Sequence, residues 1–414
     1  MTKRRVVVTG IGVASPLGCD VESFWRRLVQ GDSGVVALDD PEFASFATPI
    51  GARVQGYVES DHFEVKEARR TSRTSQLAVV AATQAVSQAR LLDGPIDRQE
   101  TAVLLGSSIG GFSACDHAYR DFYLKGRASP LTIPSSMNSG PAANVSIRFG
   151  LGGPLFNVDG ACASGTHSVG QAFQMIRSGI LDVALAGGAD SVFTLGVMTA
   201  WSALRVLSKL TADPARACRP FSADRDGIVL GEGAGVLVLE AEESARARGQ
   251  EILAEIVGYG ASADCHSLTQ PSPEGPTRAL GKALRDASLT PEQVGYVNAH
   301  GTGTAWNDRN ETTVIRNVFG DEARRTMVVA NKGALGHGIS AGGAMELIGC
   351  IQALRDRVVP PTINYTVPDP ECDLDYVTTG ARGYDGDFAV SNSFAFGGSN
   401  AVVAVGRYDG RDRR

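Results

Sequence analysis

The sequence predicts an α/β protein made of two similar halves. Three observations lead there. Short buried-strand runs alternate with helix-length segments, a pattern that layers helices over sheets. The order strand, helix, strand, reactive turn, helix, strand runs once before residue 250 and begins again after it. Strand ends repeatedly carry glycine-bounded turns with a polar side chain, where open α/β sheets place their sites. No linker composition separates the halves, so 1–250 and 251–414 are expected to pack as one body. No shorter repeat is visible.

Taken in order, Val6-Val7-Val8-Thr9-Gly10 is a buried-strand run. Gly12 follows, but a dinucleotide fingerprint needs a third glycine opening a helix. Ala14-Ser15-Pro16-Leu17-Gly18 stands there instead, so that reading is rejected. A helix is expected at 21–28, capped near Asp20, then irregular chain over 31–65. A basic cluster (Lys66, Arg69, Arg70, Arg73) precedes an alanine-rich helix expected at 74–90. Strands are expected at 101–106 and 183–190. Pro154, Leu155, Phe156 and Val158 form a further strand leading to Cys162, and Val169, Ala172, Phe173 and Ile176 keep helical spacing after it. A polar loop at 219–227 runs through Gly231-Glu232-Gly233-Ala234-Gly235 to a strand expected at 236–240, with a charged helix after it at 242–248. The second series places strands at 252–257, 294–298, 328–330, 389–391 and 401–405, and helices at 277–287, 308–319 and 340–354.

With 414 residues and 43% hydrophobic content the chain can bury a large core. A net charge of −6 argues against nucleic acid or an anionic membrane as the main partner. No apolar span has signal or membrane length. The seven cysteines are odd in number, scattered and free of C-x-x-C, which fits reduced thiols in a cytoplasmic protein and neither a disulfide framework nor a zinc site.

The chemistry gathers in four glycine-flanked turns: Cys162 in Gly160-Ala161-Cys162-Ala163-Ser164-Gly165, His300 in Asn298-Ala299-His300-Gly301-Thr302-Gly303-Thr304, Lys332 and His337 in Asn331-Lys332-Gly333-Ala334-Leu335-Gly336-His337, and Phe394-Ala395-Phe396-Gly397-Gly398-Ser399-Asn400. A thiol between a strand and a helix N-terminus sits near unpaired N–H groups and the positive end of the helix dipole, which favour thiolate. A buried structural cysteine is the bland alternative on that stretch alone. One cysteine and two histidines in separate turns point to a site.

These turns, with the Gly231–Gly235 run, resemble those of a β-ketoacyl-[acyl carrier protein] synthase of the elongating, thiolase-fold type, over Val6 to Val405. Asn307–Glu311 and Asp369–Tyr376 look most like actinomycete type II polyketide ketosynthase subunits. The resemblance implies a duplicated five-layer αβαβα fold. It implies Cys162 as acyl acceptor and His300 and His337 as donors to a malonyl thioester that loses CO2, acting after acylation. Lys332 would orient and charge the histidines, with Glu311 as its carboxylate. The N–H groups of Cys162 and Phe396 would form the oxyanion hole, with Phe396 also a gate. Thr302, Thr304 and Thr269 would bind the pantetheine arm and Ile109 would lie along the acyl chain. Lys66, Arg69, Arg70 and Arg205 would meet an acidic carrier protein. No metal or separate cofactor is implied, since substrates ride on phosphopantetheine, and the family forms dimers, so a homodimer or a heterodimer with a related subunit is expected.

Departures from the family pattern lie near the histidines: Gly333-Ala334-Leu335 and Gly338, read as removing volume around His337, and Trp306 beside the His300 loop. They keep open a second reading, in which the acyl group is transferred or cyclised without malonyl condensation. A third, a non-catalytic chain-length subunit, sits poorly with the retained Cys162. A degradative thiolase would carry a second cysteine where His337 stands.

Overall fold

The computed structural model describes residues 4–44 and 46–410. Its main sheet has eleven strands. In the first half these are β1 (Val6–Ala14), β2 (Ala102–Gly106), β3 (Leu155–Val158), β4 (Val183–Asp190) and β5 (Gly233–Ala241). In the second they are β6 (Ala254–Ala263), β7 (Val294–Asn298), β8 (Met327–Val329), β9 (Asp375–Tyr376), β10 (Phe388–Phe394) and β11 (Ser399–Gly406).

The spatial order is β9-β8-β7-β10-β11-β6-β1-β5-β4-β2-β3. Read outward from the centre, β1-β5-β4-β2-β3 and β6-β11-β10-β7-β8 are the same arrangement. In both, the first two pairings are antiparallel and the next two parallel. The halves join where Val6–Val8 of β1 pairs antiparallel with Ala254–Ile256 of β6.

The repeat extends to single residues. An outer helix, Arg73–Gln88, lies so close on β1 that a Cβ at Gly10 or Gly12 would strike Ala85 O or Ala81 O. The helix Glu274–Ala287 lies on β6 the same way, with Gly258 and Gly260 facing Ala283 O and Ala279 O. Gly10 and Gly12 are therefore strand residues that admit a helix backbone, which is why the first strand runs on to Ala14. Between the half-sheets lie two central helices, Ser164–Arg177 and Ser340–Asp356, each touching strands of both halves. Their contact is close: a Cβ at Gly165 would strike Ser340 O. Helix, sheet, paired helices, sheet and helix make the expected five layers, and the three largest apolar clusters follow them, one central and two outer, with two smaller clusters beside.

Element boundaries differ where packing intervenes. The strand expected from Val236 begins at Gly233, because the backbone of the second central helix packs on Gly235, whose Cβ would meet Met345 N at 2.8 Å. Asp20 caps its helix as expected, accepting from Ser23 N at 2.7 Å, worth about 1 kcal/mol. The sequence reading assigns nothing to 112–149, where helices form at Phe112–Lys125, Thr132–Ser136 and Gly140–Phe149. Most of their large apolar residues, among them Phe122, Tyr123, Ile133 and Ile147, are exposed, and only the last helix buries a face, the short one of Pro141, Ala142 and Val145, too few residues to signal the segment. No helix among the described residues is long and apolar enough to cross a membrane.

Candidate active site

Cys162 sits in a short turn between β3 and the first central helix. Ala161 before it has φ 50°, and Ser164 closes the turn, accepting from Gly160 N at 3.0 Å and donating to Ala161 O at 2.6 Å. The thiol lies 3.1 Å from His337 Nε2. The His337 ring is 5.5 Å from that of His300, nearly perpendicular, and His300 is 6.0 Å from Phe394. Cys162, His300 and His337 therefore meet, although they come from three distant segments.

Each histidine loop is held by backbone groups. His337 N donates to Val229 O at 2.7 Å and Gly231 N donates to His337 O at 2.9 Å, so the residues leading into β5 clamp it. The His300 loop closes on Glu311, whose oxygens accept from His300 N and Gly301 N, each at 2.8 Å. Asn392 adds a third bond at 3.1 Å. Glu311 is thus not the partner of Lys332, a correction to the expectation. That partner is Glu346 on the second central helix, 2.6 Å from Lys332 Nζ, with both side chains 1% exposed. The signal for it is one carboxylate in the apolar run Ala341–Leu354.

The electrostatics correct two further expectations. Burial pushes the Cys162 thiol up to about 12, although the Lys332 charge and the N–H groups of Cys162 and Phe396 oppose this. The turn's donors are present but do not by themselves make a thiolate. Lys332 does not charge the histidines. Burial first, then the lysine's positive charge, hold His300 and His337 well below the usual histidine range, so both are neutral. A neutral His337 can accept the thiol proton, which places it in reach of acylation as well as of later steps. Burial raises Glu311 to about 7.

A cavity of about 220 Å³ rises from these groups. Thr302 and Thr304 line it, their hydroxyls 2.9 Å apart, and Thr269 lines its exposed side. Phe396 lies in its wall, 38% exposed and stacked on Trp201 at 6.0 Å. Ile109 does not line this cavity; it packs in the apolar cluster that holds Cys162, with Val192, Met198 and Ile339. Trp306 is 75% exposed at the mouth, not at the histidines. Gly333 and Gly338 do not widen the pocket: Cβ atoms there would meet Ile363 and Met345 at 3.0 Å, away from the cavity. Arg205 is exposed beside the cavity residue Val206, whereas Lys66, Arg69 and Arg70 are exposed around the helix Val65–Ala68 and do not line the cavity.

Sequence reasoning missed Asp190 as well as Glu346. Fully buried at the end of β4, Asp190 accepts from Ser107 Oγ at 2.9 Å and Ser340 N at 3.1 Å, tying the loop before Ile109 to the second central helix. Burial raises it to about 6. Among the described residues no cluster of His, Cys, Asp and Glu could hold a metal ion.

Residues 3–245 match the β-ketoacyl synthase N-terminal domain and residues 253–366 its C-terminal domain. Nodulation protein E of Rhizobium leguminosarum bv. trifolii is 43% identical over 403 residues, 97% of this chain and 98% of that protein. The 3-oxoacyl-[acyl-carrier-protein] synthase 2 of Staphylococcus aureus (strain COL) is 40% identical over 410 residues, 98% of this chain and 99% of that protein. The solved structure of the ishigamide ketosynthase/chain length factor superposes with TM-score 0.92 at 34% identity, covering 98% of this chain and all of that one. With a thiol and two neutral histidines in one cavity and these matches over both halves, the chain belongs to the β-ketoacyl synthase family and is a condensing acyltransferase of the thiolase fold.

Proposed function

We propose that the protein takes an acyl chain from an acyl carrier protein onto Cys162 and condenses it with malonyl carrier protein, in fatty acid or polyketide assembly. The observation that carries this is the meeting of Cys162 Sγ with His337 Nε2 at 3.1 Å, beside a second neutral histidine. In the first stage the thiol proton passes to His337 as sulfur attacks the thioester carbonyl. The N–H groups of Cys162 and Phe396 receive the developing oxyanion, and the departing pantetheine thiol takes the proton back. In the second stage His300 and His337, the latter now in the tautomer with its one proton on Nε2, each give an N–H to the malonyl thioester oxygen. CO2 leaves, and the stabilised enolate attacks the acyl-Cys162 carbonyl, releasing the thiolate and the lengthened thioester. Lys332, paired to Glu346, adds to the burial that keeps both rings neutral, so that each retains one N–H to donate and one nitrogen to accept. Thr302, Thr304 and Thr269 bind the pantetheine arm, and Ile109 borders the acyl chain.

Against the diverted reading, Gly333 and Gly338, two of the departures behind it, face away from the pocket, which leaves it Trp306 on the exposed side of the cavity. For partners, Lys66, Arg69, Arg70 and Arg205 dock the carrier, whose prosthetic arm brings the substrate without a further cofactor. A second subunit, identical or related, covers the edge strand β3 and the exposed apolar residues of 112–149. The edge strand's Phe156 is 47% exposed, and such edges are ordinarily covered. The halves 1–250 and 251–414 are two products of one duplication, and the protein works in the cytoplasm. The test is single-turnover: acyl-Cys162 enzyme should stay unchanged until malonyl carrier protein is added, then yield CO2 and a β-ketoacyl thioester together. A cyclised or transferred product without malonyl carrier would refute the proposal.

A further inference from the structure

Of the six histidines, His167 lies beside the site but has no part in the steps above. It stands in the first turn of the nucleophile's helix, and both its ring nitrogens are engaged. Nδ1 is 2.6 Å from the Tyr259 hydroxyl of β6, and Nε2 is 2.9 Å from Ser399 Oγ at the start of β11. A neutral imidazole has one donor and one acceptor, and a hydroxyl can answer either.

Ser399 ends the turn that carries Phe396. Gly397 and Gly398 there have φ 76° and 71°, so the turn's shape depends on glycine freedom and on how its ends are anchored. Gly397 N donates to Leu268 O at 2.8 Å, and Ala395 N donates to Ser399 O at 2.9 Å. Gly398 O also accepts from Asp264 N at 2.9 Å and from Asn400 Nδ2 at 3.0 Å. A further anchor is the His167–Ser399 bond. The nucleophile's helix reaches this region twice, through Thr166 to Ser393 on the strand before the turn at 2.7 Å and through His167 to Ser399, and only the second bond is to the turn itself. The nucleophile turn closes on the same joint: a Cβ at Gly160 would lie 2.7 Å from His167 Cδ2 and 3.0 Å from Ser399 Oγ.

We propose that His167 is a positioning residue which, through Ser399, sets the Phe396 N–H against the Cys162 sulfur so that both oxyanion donors meet the same thioester oxygen. This rests on the reading of Cys162 as the acyl acceptor. One lost oxyanion donor costs about 10²–10³ in rate, and a donor about 1 Å out of place costs a large part of that. A loosened anchor leaves the N–H present but misplaced, so the effect falls on the rate of acylation and not on binding of the pantetheine arm.

The experiment measures acylation by an acyl-pantetheine thioester, using rapid quench and intact-protein mass spectrometry. It compares wild type with Ser399→Ala, His167→Asn, the double variant, His167→Gln and Tyr259→Phe. Asn keeps the Nδ1 contact and loses the Nε2 one, whereas the Gln amide reaches the Nε2 position. We expect Ser399→Ala and His167→Asn each to slow acylation about 10-fold or more at unchanged half-saturation, with the double variant no slower than either single one. Gln should recover most of the rate, and Tyr259→Phe should keep it. Wild-type rates in Ser399→Ala, or effects that multiply in the double variant, overturn the assignment. No acylation of the wild type overturns Cys162 as acceptor, and this assignment with it.

Discussion

The Cys162 turn and the Lys332–His337 segment occupy matching places in the two halves. One follows β3 and the other β8, and each feeds one of the paired central helices. Each also passes into its helix by way of a non-glycine residue at positive φ, Ala161 at 50° before Cys162 and Ile339 at 51° two residues after His337, where side chains are strained. Their contents differ. The first holds a buried thiol pushed up to about 12, and the second holds a buried ion pair and a histidine kept neutral beside it. The loops after β2 and β7 repeat the contrast, Ser107 and Ser108 bonding to buried Asp190 in one half and His300 standing over buried Glu311 in the other. A backbone repeated twice thus brings two dissimilar sets of side chains face to face. Neither half has both the group that gives up a proton and the group that takes it.

The strongest way to break this division is to empty the first turn. Cys162→Ala should abolish covalent acylation, read by mass spectrometry, while thermal unfolding changes little because the site accepts a small side chain. An acyl label on the variant would remove Cys162 from its role.

Disturbing the second turn should come next. Lys332→Ala leaves Glu346 buried without its partner, which costs about 3–5 kcal/mol of stability, measurable by urea unfolding. It also removes a positive charge that depresses both histidines. Their values should rise, and the acid limb of the condensation rate should move to higher pH. An unmoved acid limb would show that burial alone sets the histidines.

The loop after β7 offers a pH test. Glu311 is raised to about 7 in the folded protein, against an ordinary 4.5. Between those values the folded state binds more protons than the unfolded, so this group's contribution to stability is present below 4.5 and is lost as pH rises through 7. Glu311→Gln should remove that slope from unfolding midpoints measured between pH 5 and 8. An identical slope in the variant would mean the carboxylate is ionised throughout.

The smallest effect is expected outside the cavity. Charge reversal at Arg205 should raise KM for carrier-bound acyl groups a few-fold and weaken its salt dependence, leaving acyl-pantetheine unaffected. Reversal at Lys66 or Arg70 sharpens the comparison, because those residues do not line the cavity. Equal losses with both substrate types would point to folding instead of docking.

What the sequence by itself determined is what depends on near neighbours in the chain. Alternating runs placed the strands, glycine-bounded turns marked Cys162, His300 and His337, and the repeated order of elements announced two halves. Asp20 was legible as a cap because its hydrogen bond reaches only three residues along. What the tertiary structure decided depends on groups far apart in the chain. Lys332 chose Glu346 over Glu311, and the strand took in Gly233 and Gly235, the second because a helix backbone lies on it. Gly333 and Gly338 turned out to face Ile363 and Met345. The helices of 112–149 stayed illegible because most of their large apolar residues are exposed, and the few buried ones, Ala142 and Val145 among them, make too short a pattern to read. Above all, the size of the histidines' shift came from burial: away from water both rings are held neutral, and the lysine's like charge, felt more strongly there than in solvent, adds to that.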